Sequence, residues 1–149
     1  MTYPKVSIII LNWNGLKDTI KCLESLKKIT YPNYEVIVVD NGSEGNDADI
    51  LEEQYKDYIR VIRNKENLGF AGGNNVGIRK VLEEGKSEYI LLLNNDTIVK
   101  ENFLDELIKY YDYKTGICAP LILNFYNQNE IWSSGGKFNI FTGTYSNRS

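Results

Sequence analysis

"VSIIILNWNG", residues 6 to 15, is apolar almost throughout to Leu11 and then turns abruptly to Asn12, Trp13, Asn14 and Gly15. A strand with one wet face alternates apolar and polar residues, whereas a near-continuous apolar run of this length reads as a strand buried on both faces. Runs of the same kind recur at "EVIVVD" (35 to 40), "IRVI" (59 to 62), "YILLL" (89 to 93) and "ICAPLIL" (117 to 123). Helical periodicity lies between them, with Leu16, Ile20, Leu23 and Leu26 on one stripe and Phe103, Leu104, Leu107 and Ile108 on another. A further helix starts among the glycines of residues 64 to 80 and continues through Ile78, Val81 and Leu82. Alternating strand and helix predicts an α/β fold of βαβ units, with right-handed crossovers and a mostly parallel sheet covered by helices on both faces. After Phe125 the alternation gives way to Asn, Ser, Gly and aromatic residues, which predicts loops with a short hairpin.

Composition narrows the function. With 149 residues, 42% hydrophobic and 25% charged, the chain is expected to form one domain with a true core. The net charge of −3 comes from interspersed acids and bases, which leaves no basic footprint for nucleic acid. Lys17, Lys21, Lys27 and Lys28 fall on the first helix, but Asp18 and Glu24 dilute them into an ordinary solvated face. Cys22 and Cys118 have neither metal-ligand spacing nor the pattern of a disulfide framework, which suits a reducing compartment. No stretch approaches the ~20 apolar residues that span a bilayer, so the expected location is cytoplasmic, with peripheral association at the inner face of a membrane at most. There is no histidine, so acid–base chemistry here would fall to carboxylates.

Ligands of open parallel sheets bind beyond the carboxyl ends of the strands, which directs attention to the residues that follow each apolar run. These are Asn12, Trp13, Asn14 and Gly15; Asp40, Asn41, Gly42 and Ser43; Arg63 and Asn64; and Asn94, Asn95 and Asp96. Asp96, after a fixed strand, could offer its carboxylate to a hard cation such as Mg²⁺ or Mn²⁺, or could merely cap a short turn. Asp40 could accept a hydrogen bond from an imide N–H or a sugar hydroxyl, or could serve an Asx-turn through Asn41 and Gly42. "NKENLGFAGGNNVGIRK", residues 64 to 80, places Gly69, Gly72, Gly73 and Gly77 around a helix start, where a backbone can approach a diphosphate closely. The segment matches neither the dinucleotide-binding fingerprint nor a P-loop.

"VSIIILNWNG", "VIVVDNGS", "NLGFAGGNNVGI" and "YILLLNNDTIV", in that order, resemble the amino-terminal half of family 2 inverting glycosyltransferases, especially rhamnosyltransferase-like members, over residues 5 to about 140. The resemblance implies a Rossmann-like GT-A fold, with a nucleotide-sugar-binding part at 1–125 and the start of an acceptor-side region at 126–149. It implies inverting transfer from a nucleotide diphosphate sugar, such as dTDP-rhamnose or a UDP-sugar, to a glycan or lipid-linked acceptor. Asp96 would be the ligand of Mg²⁺ or Mn²⁺, and Asn95 would lie near the donor sugar or ribose. Asp40 would contact the base, with Leu11 and Asn12 beside it, and Asn67, Gly69 and Asn74 would border the nucleotide. Asn94 stands where the first Asp of the family's D-x-D motif is expected, which leaves one carboxylate fewer and implies weak metal affinity. Asp105, Glu106 and Asp112 are assigned to a helix on the face of the sheet; the resemblance, to a family of longer members, implies a catalytic base beyond Ser149, and the chain is expected to be incomplete. Trp132 in "IWSSGGKFN" is taken as core. Two other readings are a non-catalytic nucleotide-binding module and a receiver-like regulatory domain, the latter disfavoured because the first strand does not end in an acidic pair.

Overall fold

A computed structural model describes residues 3–112 and 114–147. The chain divides into two compact units, Met1–Asn102 and Phe103–Ser149; the boundary expected near residue 125 falls inside the second.

The first unit is a parallel sheet wound through helices. Its elements are β1 (Val6–Asn12), α1 (Leu16–Leu26), β2 (Tyr34–Asp40), α2 (Asp47–Tyr55), β3 (Ile59–Arg63), α3 (Gly69–Glu84) and β4 (Tyr89–Asn94). The strand order is β3-β2-β1-β4, with every pairing parallel. The chain winds outward from β1 to β3 and then crosses to the other side of β1, so the winding reverses between β1 and β4. Such a reversal opens a crevice at the carboxyl ends of the strands. Register brings the site residues to one edge: Asn12 lies opposite Asp40, Leu11 opposite Asn94, and Asp40 opposite Arg63.

Burial follows position in the sheet. β1 and β2 are central and almost wholly buried. Ile9, Ile37 and Val39 form one core cluster with Val81 of α3, and Leu11, Ile62, Val76, Ile78 and Ile90 pack against it. Ile8, Ile10, Val36 and Val38 alternate with these and are equally buried, so the opposite face is covered too. The outer strands β3 and β4 are only partly buried, contrary to the reading of all the runs as doubly buried; Leu92 of β4 is 45% exposed. α3 ends on Gly85, whose φ of +60° is the left-handed conformation that glycine adopts freely, and whose N–H donates to the Val81 carbonyl at 3.1 Å.

One helix escaped the sequence reading. α2 buries Ala48, Leu51 and Tyr55, spaced by three and four residues, and carries Asp47 and Asp49 in its first turn, where acids suit the helix dipole.

The second unit contains α4 (Phe103–Lys109) and two antiparallel pairs, β5 (Ile122–Leu123) with β6 (Ile131–Ser133) and β7 (Gly136–Asn139) with β8 (Thr144–Asn147). Residues 117 to 121 form no strand; only Ile122 and Leu123 of the expected fifth run do, in an antiparallel pair of their own. Pro120 within that run has no N–H to give to a ladder. Trp132 is 73% exposed rather than core. Asp112 lies beyond the end of α4, so of the three acids assigned to that helix only Asp105 and Glu106 belong to it. Among the described residues no helix is long and apolar enough to cross a membrane.

Candidate functional site

At the carboxyl edge of the sheet, Asn12 is the centre of a polar network. It closes β1 and is fully buried, and its Nδ2 lies 2.9 Å from Asp40 Oδ1, 3.0 Å from Asp47 Oδ2 and 3.2 Å from Ser43 Oγ. An amide nitrogen carries two protons, so two acceptors are served fully and the third is shared. Asn12 Oδ1 accepts from Thr19 Oγ1 at 2.7 Å. The opposite orientation of the amide would set its oxygen against two carboxylates, which fixes Nδ2 on that side. Thr19 in turn accepts from Asn95 Nδ2 at 3.0 Å. A chain of hydrogen bonds therefore runs Asn95–Thr19–Asn12–Asp40, from the turn after β4, through α1, to the ends of β1 and β2.

Asp40 is buried. Its Oδ1 accepts from Asn12 Nδ2 and from Ser43 Oγ at 2.6 Å, and its Oδ2 accepts from the Ser43 N–H at 3.3 Å. Its role in an Asx-type turn is thus realised through Ser43, and it holds the β2 loop as well as facing the edge. Asp40→Ala is expected to lower stability by about 1.5–3 kcal/mol, because charge-assisted bonds to Asn12 and Ser43 are lost. Urea titration of the two proteins would measure it; an unchanged midpoint would mean that those bonds carry no net stability.

A second cluster forms around buried Asn41. Its Nδ2 donates to Asn67 Oδ1 at 2.8 Å, and its Oδ1 accepts from Asn64 Nδ2 at 2.9 Å and from the Leu68 N–H at 3.2 Å. Asn67 Oδ1 also takes the Gly69 N–H at 2.8 Å, so that amide is already engaged within the loop. Gly69 needs its φ of +72°, which glycine reaches without strain. Asn74 is buried in α3 and donates to the Phe70 carbonyl at 2.9 Å. Leu11 packs into the core cluster beside α3. Two glycines further along α3 let the helix pack closely on the sheet. A β-carbon on Gly73 would meet Leu11 Cδ1 at 2.4 Å, and one on Gly77 would meet Ile9 Cγ2 at 2.8 Å.

Asp96 stands apart. It is exposed in the turn after β4, which the Thr97 N–H closes onto the Asn94 carbonyl at 3.2 Å. Among the described residues its carboxylate makes no hydrogen bond and no ion pair. Its charge is felt by the buried Cys22 thiol, which burial first and Asp96 second push up to about 12, so Cys22 is an inert thiol. Among the described residues no three His, Cys, Asp or Glu side chains converge on a metal position. Asp96 thus offers one unengaged carboxylate, and a hard cation held there would need its remaining oxygens from a phosphate group and water.

The structure thus joins Asn12, Asp40 and Asn95 in one network and Asn67 and Gly69 in a neighbouring one. Leu11 and Asn74 lie in packed positions between sheet and α3, and Asp96 lies at the rim. Thr19 and Asp47 were not singled out by the sequence reading, and Asn41, Ser43 and Asn64 were noted at the strand ends without a site role. The signal for Thr19 was present: it stands four residues before Leu23 and seven before Leu26, a polar residue on the buried face of α1.

The model of glycosyl transferase family 2 matches residues 7–148. The glycosyltransferase GlyG of Streptococcus pneumoniae serotype 4 is 32% identical over 140 residues, covering 93% of this chain and 44% of GlyG. Among solved structures, Staphylococcus aureus TarS in complex with UDP-GlcNAc aligns with a TM-score of 0.60 and 27% identity over 70% of this chain and 30% of that one. The mannosyltransferase PcManGT of Pyrobaculum calidifontis, in complex with GDP-Man and Mn²⁺, aligns with a TM-score of 0.65 over 74% of this chain and 33% of that one; at 20% identity it speaks to the fold alone. The chain thus spans less than half the length of these relatives. A parallel sheet that reverses its winding beside β1, a polar edge built from the ends of three strands, and a family match over nearly the whole chain agree: the chain belongs to glycosyltransferase family 2 and has the GT-A fold.

Proposed function

We propose that this chain binds a nucleotide diphosphate sugar along the carboxyl ends of β1, β2 and β4, as the donor-binding part of an enzyme that transfers the sugar with inversion to a glycan or lipid-linked acceptor. The observation that carries the proposal is the hydrogen-bonded chain Asn95–Thr19–Asn12–Asp40, which ties the turn bearing Asp96 to the end of β2 across the reversal of winding. Asp40 is assigned to the base side of the nucleotide, with Leu11 and Asn12 beside it. Asn67, Gly69 and Asn74 border the nucleotide on the α3 side, and Asn95 faces the sugar or ribose. A UDP-sugar and dTDP-rhamnose are the donors proposed. TarS, a solved neighbour at 27% identity, was solved in complex with UDP-GlcNAc, which supports a uridine nucleotide.

Asp96 is the proposed ligand of Mg²⁺ or Mn²⁺. When bound, such an ion stabilises charge on a departing diphosphate. In this chain, Asp96 carries an exposed carboxylate with no partner among the described residues, and Asn94, uncharged, adds no second one. Affinity for metal and nucleotide together is therefore expected to be weak. Calorimetric titration of UDP into the protein tests the assignment: binding should be tighter in MnCl₂ than in EDTA, and Asp96→Ala should abolish the difference. Equal affinity of the parent protein in the two buffers would remove Asp96 and the metal from the proposal. Competition among UDP, dTDP and GDP would settle the nucleotide.

A further inference from the structure

We infer that Gly15 and Thr19, at the start of α1, are positioning residues that clamp the Asn95 amide between them and thereby fix the turn that carries Asp96. The inference rests on the donor-binding reading above and adds two residues to it.

Thr19 is fully buried, and its single hydroxyl proton is directed at Asn12 Oδ1, 2.7 Å away, because that oxygen can only accept. A lone pair on Thr19 Oγ1 is left for Asn95 Nδ2 at 3.0 Å. Asn12 cannot turn to release Thr19, since its Nδ2 is held against Asp40 and Asp47. Gly15 closes the clamp from the other side. A β-carbon there would lie 2.5 Å from Asn95 Nδ2, so the amide occupies the space that a side chain at position 15 would fill. Its φ of −120° is open to any residue, so glycine here supplies room for the amide rather than backbone freedom. Asn95 directly precedes Asp96, whose own carboxylate has no anchor among the described residues. The direction of Asp96 is therefore set by the turn and by the clamped amide beside it. A hard cation demands oxygens within a few tenths of an ångström of its preferred distance, so a loosened turn should cost metal-dependent affinity.

The test uses the full chain with UDP as probe, titrated in MnCl₂ and in EDTA, beside a thermal melt. Thr19→Val removes the hydroxyl at nearly constant volume, Thr19→Ser restores it, and Gly15→Ala pushes the Asn95 amide aside while leaving Thr19 intact. Expected are a loss of at least threefold in the Mn²⁺-dependent gain for Thr19→Val and for Gly15→Ala, beyond any loss that each shows in EDTA, and recovery of the gain in Thr19→Ser. A parent-like gain in both Thr19→Val and Gly15→Ala would overturn the clamp and leave the donor-binding reading standing. So would a Thr19→Val protein that loses affinity equally in both buffers while Gly15→Ala behaves as the parent, since that marks a purely structural threonine. A parent that gains nothing from Mn²⁺ would overturn the clamp and the metal role together. Should Thr19→Val fail to fold, Gly15→Ala decides alone.

Discussion

Asn12→Asp is expected to be among the most damaging single-atom changes in the chain, costing about 3–5 kcal/mol of folding free energy. The substitution replaces one nitrogen by oxygen at constant shape. That nitrogen lies 2.9 Å from Asp40 Oδ1 and 3.0 Å from Asp47 Oδ2, in a side chain with 0% exposure. A donor serving two carboxylates would become a third acceptor beside them, in a place that water cannot reach to screen it. The chain must then bury a like-charged cluster, hold an unfavourable proton or open the edge of the sheet. Asn12→Ala, which removes the donor without adding charge, should cost less, about 2–3 kcal/mol, from the acceptors left short of a partner. Both sums are large against the 5–15 kcal/mol that holds an ordinary domain together. Urea unfolding of the three proteins would order them parent, Ala, Asp. If Asp were as stable as Ala, the network would be wet enough to accommodate charge, and the buried hub described here would be wrong.

The same residue shows what the sequence could and could not disclose. "VSIIIL" ended by Asn12 was enough to place a buried strand with a polar end at the carboxyl edge of the sheet, because apolar continuity and the abrupt change of chemistry are both local signals. Four strands, three of the helices and the parallel pairing followed from the same logic of period and alternation. What Asn12 touches was not legible, since Asp40, Ser43 and Asp47 lie 28, 31 and 35 residues away and meet it only through strand register and the placement of α2. α2 itself was overlooked because its apolar face is thin, with Ala48, Leu51 and Tyr55 buried in an otherwise acidic segment. The run at 117 to 123 misled for the opposite reason: it has the composition of a buried strand, but Pro120 interrupts the donors a ladder needs, and Ile117 is 94% exposed. Asp96 was singled out from its position after the fourth apolar run, whereas the absence of a partner for its carboxylate among the described residues is a property of the tertiary structure.

Gly77→Leu is the second large effect, expected to destabilise the chain by about 3 kcal/mol or more and to weaken UDP binding in the same protein. Gly73 and Gly77 lie one turn apart on α3, on the face that meets the sheet. A β-carbon at Gly77 would stand 2.8 Å from Ile9 Cγ2 and 3.2 Å from Val39 Cγ2, and Ile9 and Val39 are themselves fully buried. One methyl can be absorbed in part, and the gain of replacing a helical glycine, about 0.5–1 kcal/mol, offsets some of its cost. Gly77→Ala should therefore lose no more than about 1 kcal/mol, within the lower range for overpacking. A leucine has nowhere to go: either α3 lifts from β1 and β2 or the Ile9–Val39–Val81 cluster is broken open. Lifting α3 also moves its first turn, and with it the Asn67 and Gly69 loop that Asn41 holds from the end of β2. Stability and nucleotide affinity should thus fall together in Gly77→Leu, in EDTA as in MnCl₂, whereas Asp96→Ala should change only the metal-dependent part. Chemical denaturation and calorimetry on the same samples would separate the two patterns. A Gly77→Leu protein within 0.5 kcal/mol of the parent would mean that α3 does not sit on the sheet as closely as Ile9 and Val39 indicate, since a leucine would then fit where barely a methyl should.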